Sequence, residues 1–494
     1  MNNPSFTVRE QLGYAGGIFG NCMGQDSVGT FSNKFFRNFM GIDSARITIM
    51  ENIHYIINFA VNPVIGNILD RPAKDLKNTP TKKILKFSPI PFALTSMLLF
   101  VVPSSYAKIN FLWALILKLI FSVTDAFYDM SLNAMSLRMT DNERDRKNFY
   151  TVSTFASSLG SMLPGWLIPI IVSRTDNVVM QKWLYFFIAL FFCILGVASM
   201  YAPYFTLNEK IPMSVKSEEG SISWDRDTLR ALLHNRTFII IQLGNFFEQI
   251  RKCSYELLVY LYDDVFDDYS MKAVIDVISG TLSYAGLAFV PFITSKISPR
   301  SVMSLGYGFT GFFYTVMGLI GAKNGLFGKE FNLVKIRKYR YLIGICIGLA
   351  GMPNNALSAS KKVVTGDSTD YMEWYSEKHY GRPIRSEGLI CAFQGVCTQI
   401  FSLIVTNIYN PLFNTIGYKS EIVTGSTAKK VTQSNKTLQG LYKMFALFGI
   451  IGNLLAALMY QFDNYTGKRR EDILLELTQM RQGRENGEKF EEDI

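Results

Sequence analysis

About a dozen apolar runs of 20 residues or more are the feature that most constrains this chain. A helix rising 1.5 Å per residue crosses a hydrocarbon core of about 30 Å in about 20 residues, so each run is long enough to span a membrane. The composition agrees. Only 18% of the 494 residues are charged, against about a quarter in an ordinary soluble domain. Twelve spans of roughly 25 residues consume about 300 residues, which leaves loops, a linker and a tail but no large extramembrane domain. A soluble multi-domain enzyme is thereby excluded.

The apolar windows predict spans over 11–32, 47–69, 84–104, 109–135, 149–173 and 183–207, then over 237–262, 272–294, 301–321, 341–363, 387–413 and 437–461. The fold class expected is an all-α membrane protein with twelve transmembrane helices in two six-helix bundles. Its parts are an N-terminal bundle over 1–207, a charged central linker over 208–236, a C-terminal bundle over 237–461 and a tail over 462–494. The linker holds Lys210, Glu218, Glu219 and Asp225, with a short surface helix expected from Trp224 to Leu233. The polar start of the chain runs straight into the first span, unlike a cleaved signal with a short apolar core.

Lys and Arg gather in the loops on the side of both termini, which places the termini in the cytoplasm of a plasma-membrane protein. The loop over 322–340 dissents, with Lys323, Lys329, Lys335, Arg337, Lys338 and Arg340 on the opposite side. The net charge of +10 belongs with an anionic lipid leaflet. No basic stripe with interleaved aromatics points to nucleic acid. In the tail, Ile473, Leu474, Leu477 and Met480 predict a short amphipathic helix on an otherwise solvated segment.

Chemistry beyond binding finds little support. The six cysteines fall inside predicted spans without C-x-x-C spacing, and His54, His234 and His379 form no H-E-x-x-H motif. No metal or cofactor is expected, and no nucleophile with a base suggests an enzyme.

Ionisable groups inside a span are costly and mark a pathway or site. Asp26 lies in the first span beyond a run of small residues. Asp125 and Asp129 stand one turn apart on the fourth, with Ser122 a turn earlier. His54, Asn58 and Asn62 make one face of the second span polar, just before Pro63. The seventh holds Asn245, Glu248, Arg251, Lys252 and Glu256 at helical spacings, where opposite charges can meet along one ridge.

Two loop motifs carry a resemblance. Gly66-Asn67-Ile68-Leu69-Asp70-Arg71 resembles the G-x-x-x-D-R core between spans two and three of the major facilitator superfamily. Asp367-Ser-Thr-Asp370-Tyr371-Met-Glu373-Trp374, with Arg385-Ser-Glu387-Gly388 between spans ten and eleven, resembles the signature of the glycoside-pentoside-hexuronide:cation symporters. That melibiose permease-like branch also matches Gly17-Ile-Phe19-Gly20, Asn62-Pro63, Asp125-Ala-Phe-Tyr128, Glu143-Arg144 and Asn235-Arg236-Thr-Phe238 in order.

The resemblance implies the major facilitator fold and transport of a small-molecule solute. It implies gating by Asp70, Arg71, Asp367, Asp370 and Arg385 on one membrane side. Its cation site maps to Asn58, Asn62, Ser122, Asp125 and Gln399. Here two family aspartates are replaced by Asn58 and Asn62, and a family lysine by Gln399. Cys22 replaces the sugar-binding aspartate of span one, Ser153 replaces an arginine, and the stacking tryptophan falls near Tyr128 or Asp129.

The function expected is alternating-access transport of a sugar or glycoside-like solute. Asp26, Asp125, Asp129 and Asn245 would line the path and Tyr128 would supply a stacking face. With Asp125 the one carboxylate left to it, the cation site is expected not to bind sodium, leaving uniport or a proton as coupling ion. A lipid-like amphiphile as cargo, or a non-transporting membrane sensor on the same scaffold, are the alternatives.

Overall fold

The computed structural model describes residues 7–69, 79–137, 143–175, 177–208, 226–294, 297–323, 331–381, 387–419, 432–463, 465 and 467–492. The first half comprises α1 (Val8–Asn38), α2 (Ser44–Leu69), α3 (Pro80–Phe87) with α4 (Pro89–Leu98), α5 (Ala107–Leu137), α6 (Glu143–Val172) and α7 (Val178–Met200), followed by the short α8 (Ala202–Thr206). After α9 (Arg226–His234), the second half comprises α10 (Arg236–Tyr260), α11 (Ser270–Thr294), α12 (Pro299–Gly321), α13 (Leu333–Lys338), α14 (Arg340–Ala350) with α15 (Asn354–Tyr380), α16 (Glu387–Thr415) and α17 (Asn435–Gln461). The tail forms α18 (Gly467–Glu492). These helices make two six-helix bundles.

Six helices among the described residues are long and apolar enough by composition to cross a membrane. Among those that fall short are α1, α2, α10 and α15, which carry Asp26, Glu51, Glu248 and Lys361. Each of these four spans holds charge inside the protein, as does α5, which still qualifies.

Close helix contact depends on absent side chains. A Cβ on Gly160 would stand 2.4 Å from the Phe19 carbonyl oxygen, and one on Gly452 would stand 2.6 Å from the Arg251 amide nitrogen. These two glycines let α6 lie on α1 and α17 lie on α10, backbone to backbone.

The two bundles meet firmly on the face opposite the termini. Lys34 of α1 pairs with Asp263, which a π turn over Leu261–Val265 presents at the end of α10. Arg37 donates to Tyr260 Oη at 2.5 Å and to Asn410 Oδ1 at 2.7 Å. Asn52 and Asn407 exchange hydrogen bonds, and the Tyr185 and Tyr269 hydroxyls lie 3.2 Å apart. Further toward the termini, Tyr284 donates to the Phe155 carbonyl at 3.1 Å. These contacts tie the two halves together on that far side.

Three expectations change. Span ten is not one helix, because Gly351, Met352 and Pro353 interrupt it and α15 begins afresh at Asn354. The Asp367 to Trp374 run, expected as loop, belongs to that helix, which ends where Gly381 adopts φ +67°. The tail helix is longer than expected and is docked by its apolar side, with its polar side exposed. It docks on α15 with Ile473 and Leu477 buried, Arg470 pairs with Asp367 at 2.9 Å, and Trp374 Nε1 donates to Glu476 at 2.6 Å.

The docking is expected to depend on pH. The Trp374 indole and Lys378 donate to Glu476 and hold its carboxyl below the usual carboxylate range. A group depressed in the folded state stabilises above its ordinary range and stops doing so as acid protonates it. Hydrogen exchange of α18, corrected for intrinsic rate, should show protection at neutral pH that weakens on acidification, with Glu476→Gln showing the weaker protection throughout. Protection that is indifferent to both would reject this contact.

Candidate functional site

Helix periodicity sets the first wall of the site. Asn21, Cys22, Gln25 and Asp26 share one face of α1, and Lys118, Ser122, Asp125 and Asp129 share one face of α5. Gln25 Nε2 donates to Asp125 Oδ1 at 2.8 Å, which ties these two helices together. Cys22 Sγ lies 3.1 Å from Ser157 Oγ of α6, with Asp26, Asp125 and Asp129 all around it. Asp26 bonds Ser161 and faces Lys272 and Asp276 across the bundle interface. Asp129 is exposed and accepts from Asn133 at 3.1 Å. The three carboxylates expected at the site are thus brought together.

Two other expected residues are placed elsewhere. Tyr128 is fully buried, with its hydroxyl donating to the Met200 carbonyl at 2.8 Å, so its ring packs between α1 and α7 and offers no stacking face. Asn245 is likewise buried, its amide 3.4 Å from Gln242 Oε1.

Of the family's cation positions, Ser122 donates to Asn58 Oδ1 at 2.5 Å, and Asn58 lies 3.3 Å from His54 Nε2. Asn62 and Gln399 are half-buried. At Asn58 and Ser122 the groups that meet between α2 and α5 are therefore neutral, and Asp125 is engaged by α1.

A charge pair nearby was not singled out from the sequence. Lys118 Nζ and Glu51 Oε1 lie 2.5 Å apart, both side chains at least nine-tenths buried. The signal was available: Glu51 precedes His54 and Asn58 on the polar face of α2, and Lys118 precedes Ser122 by one turn.

The gating residues divide. Asp70, Arg71 and Arg385 lie outside the described residues. Asp367 is buried between Arg300 of α12, at 2.9 Å, and Arg470 of the tail, both within the second half or its extension. Arg300 also pairs with Asp463. Asp370 sits half-buried one turn along α15.

The second wall is a cavity of about 450 Å³ among α10, α12, α15 and α16, lined by Glu248, Arg251, Asn354, Ser358, Lys361 and Gln394. The ridge expected on α10 forms only in part. Arg251 approaches Glu248 at 3.4 Å, but the closer partner is Lys361 of α15, at 2.8 Å. Lys252 and Glu256 have no ion-pair partner within 4 Å among the described residues.

The chain is 20% identical over 468 residues to the isoprimeverose transporter of Lactiplantibacillus pentosus, covering 94% of this chain and 91% of that one. It is 22% identical over 308 residues to the uncharacterized symporter YjmB of Bacillus subtilis (strain 168), covering 61% and 65%. In fold it is similar to the xylose transporter XylE from E. coli, at a TM-score of 0.57 and 12% identity over 95% of this chain and 98% of that one. The nucleoside transporter NupG gives 0.55 and 13% over 93% and 100%. Residues 13–467 match the MFS/sugar transport protein family, and the chain belongs to that family of multi-pass membrane transporters.

Proposed function

We propose that the protein is a secondary transporter that moves a sugar or glycoside-like solute across the plasma membrane by alternating access. Both termini are cytoplasmic in this reading, so the tied face is the outer one and the cavity opens inward. The observation that carries the reading is the meeting of Asp26, Asp125 and Asp129 around Cys22 on the wall of the first bundle. Carboxylates accept charge-assisted hydrogen bonds from sugar hydroxyls without needing a charged partner on the solute. The isoprimeverose transporter and XylE support the same class of cargo.

Rocking of residues 1–207 against 237–461 about the midplane would exchange the contacts at Lys34, Arg37, Asp263 and Asn410 for others near the termini. There Asp70 and Arg71 would face Asp370 and Arg385. In the present arrangement Asp367 is held by Arg300 and Arg470.

Transport is not coupled to sodium. Hard cations favour oxygen ligands that include negative charge, and Asn58, Asn62 and Ser122 supply none. The protein is a uniporter or is proton-linked through Asp125 or Asp129. Solute uptake into vesicles would be compared under a sodium gradient, a proton gradient and neither. Uptake should be indifferent to sodium, and strong stimulation by sodium alone overturns the assignment.

A further inference from the structure

Lys272 of α11 reaches out of its own half. Its side chain is almost fully buried, and its ammonium lies 5.3 Å from the centre of the Phe31 ring on α1. On α6 the chain leaves room for it. A Cβ on Gly165 would stand 2.5 Å from Asp276 Oδ2 and 3.6 Å from Lys272 Nζ. Without that atom, the Lys272 and Asp276 pair, 2.5 Å apart, sits against the backbone of the opposite bundle.

The charge around this pair does not balance. Asp26 of α1 bonds Ser161 of α6, one turn before Gly165, and the charged groups that act on it are Lys272 and Asp276. On the same wall Asp125 and Asp129 of α5 flank Cys22, and neither has an ion-pair partner within 4 Å among the described residues. On the other side of Asp276 lie the phenols of Tyr262 and Tyr269, and one layer further out Lys34 and Asp263 are paired with each other. Four carboxylates, Asp26, Asp125, Asp129 and Asp276, therefore share the one ammonium of Lys272. Carboxylates left without compensation inside a membrane protein are costly, and a bound proton is the simplest compensation.

Lys272 and Asp26 belong to different halves, so their separation changes when the halves rock. While the outer face is tied, Lys272 supplies the counter-charge of Asp26. When that face opens, α11 withdraws from α1 and α6, and Asp26 stays behind without its cation. We propose that Lys272 is the coupling residue of the transport cycle, exchanging with a proton on Asp26 each time the outer face opens and closes. On opening, the Asp26 carboxylate takes a proton from the outer solution. On closing, the O–H bond breaks, its electron pair stays on the carboxylate, the proton passes to water on the inner side, and the returning ammonium pairs with the charge left behind. Asp276 travels with Lys272 and is its partner while the halves are apart. The inference rests on the transport reading above, takes its proton-linked form and adds Asp26 to Asp125 and Asp129 as a proton carrier.

The test follows the outer face without any solute. Nitroxide-bearing residues placed at Ser105 and Val334, exposed at the outer ends of opposite halves, report opening as a longer distance in pulsed electron resonance of the full chain in lipid vesicles. The tied state binds fewer protons at Asp26 than the open one, so acid should raise the long-distance fraction several-fold. Asp26→Asn should hold that fraction high at every pH. Lys272→Gln should abolish its dependence on pH, where Lys272→Arg keeps it. The double variant Lys272→Gln/Asp276→Asn removes one charge of each sign, so it reads the exchange even where Lys272→Gln fails to fold. In a second arm, the ratio of proton-driven uptake of labelled xylose to its counterflow should fall about tenfold or more in Lys272→Gln. A wild-type distance that ignores pH, or a pH dependence that survives in Lys272→Gln and Asp26→Asn, overturns the proposal. Counterflow of xylose that no proton gradient stimulates removes the coupling and leaves the transport reading intact. A pH-dependent distance lost in these variants, with no flux of xylose, keeps the exchange and counts against the sugar reading.

Discussion

Vesicles carrying Asp125→Ala are expected to contain inserted, folded protein whose solute uptake falls by about one to two orders of magnitude. Asp125 sits where α1 and α5 meet, and it accepts from Gln25 at 2.8 Å. A hydrogen bond to a charged group contributes about 1.5–3 kcal/mol, which corresponds to roughly ten- to a hundredfold in affinity. The alanine variant loses the acceptor for the solute and leaves Gln25 without its partner. Asp129→Ala should cost less, because Asp129 is exposed and its only hydrogen bond among the described residues is a neighbourly one from Asn133. Uptake would be measured by counterflow of labelled solute, with melting temperature as the control for folding. Transport near the wild-type rate after removal of both aspartates would show that the path lies elsewhere.

The positions of these groups were legible in the sequence to different degrees. Apolar runs located most of the long helices to within a few residues, spans three and ten excepted, because twenty apolar residues in succession have few other homes. The break in span ten was also written in the chain, as Gly351-Met352-Pro353, since proline lacks the N–H that would continue the ladder. It was read over because the flanking residues stay apolar enough to fill one window. The Asp367 to Trp374 run reads as loop on polarity. Yet Val364, Ser368 and Met372 are four apart and buried, a helical stripe whose significance depends on knowing that α9 and α10 cover it.

Pairings were harder to see than positions. Asp125 and Gln25 are 100 residues apart, and nothing local to either names the other. Tyr128 and Asp129 are neighbours in sequence, and a rotation of 100° on a helix sends one into the packing and leaves the other accessible. Sequence periodicity shows that Asp125 and Asp129 share a face, but whether Tyr128 stacks on solute or on α1 depends on where α7 lies. Here the Met200 carbonyl settles it. The C-terminal cavity was half visible for a similar reason. Glu248 and Arg251 are one turn apart on α10, whereas Lys361, which completes the cluster, enters from α15.

The Lys118 and Glu51 pair carries the largest effect expected on stability. Replacing Lys118 by Ala removes the partner of a carboxylate that is about nine-tenths buried between α2 and α5. Breaking a buried pair in this way costs about 3–5 kcal/mol, since the remaining charge keeps its desolvation penalty and loses its compensation. Replacing both, as Lys118→Met with Glu51→Leu, removes both penalties and should restore most of the stability. The single variants Lys118→Met and Glu51→Leu with their double variant form a cycle that separates the pair from the packing around it. Melting temperatures in detergent should fall sharply for each single variant and recover in the double. Equal losses in all three would mean that the side chains matter for their volume. Recovered stability with lost uptake would mean instead that the pair is kept for the transport cycle, where its position beside His54 and Asn58 puts it against the path and not merely in the wall.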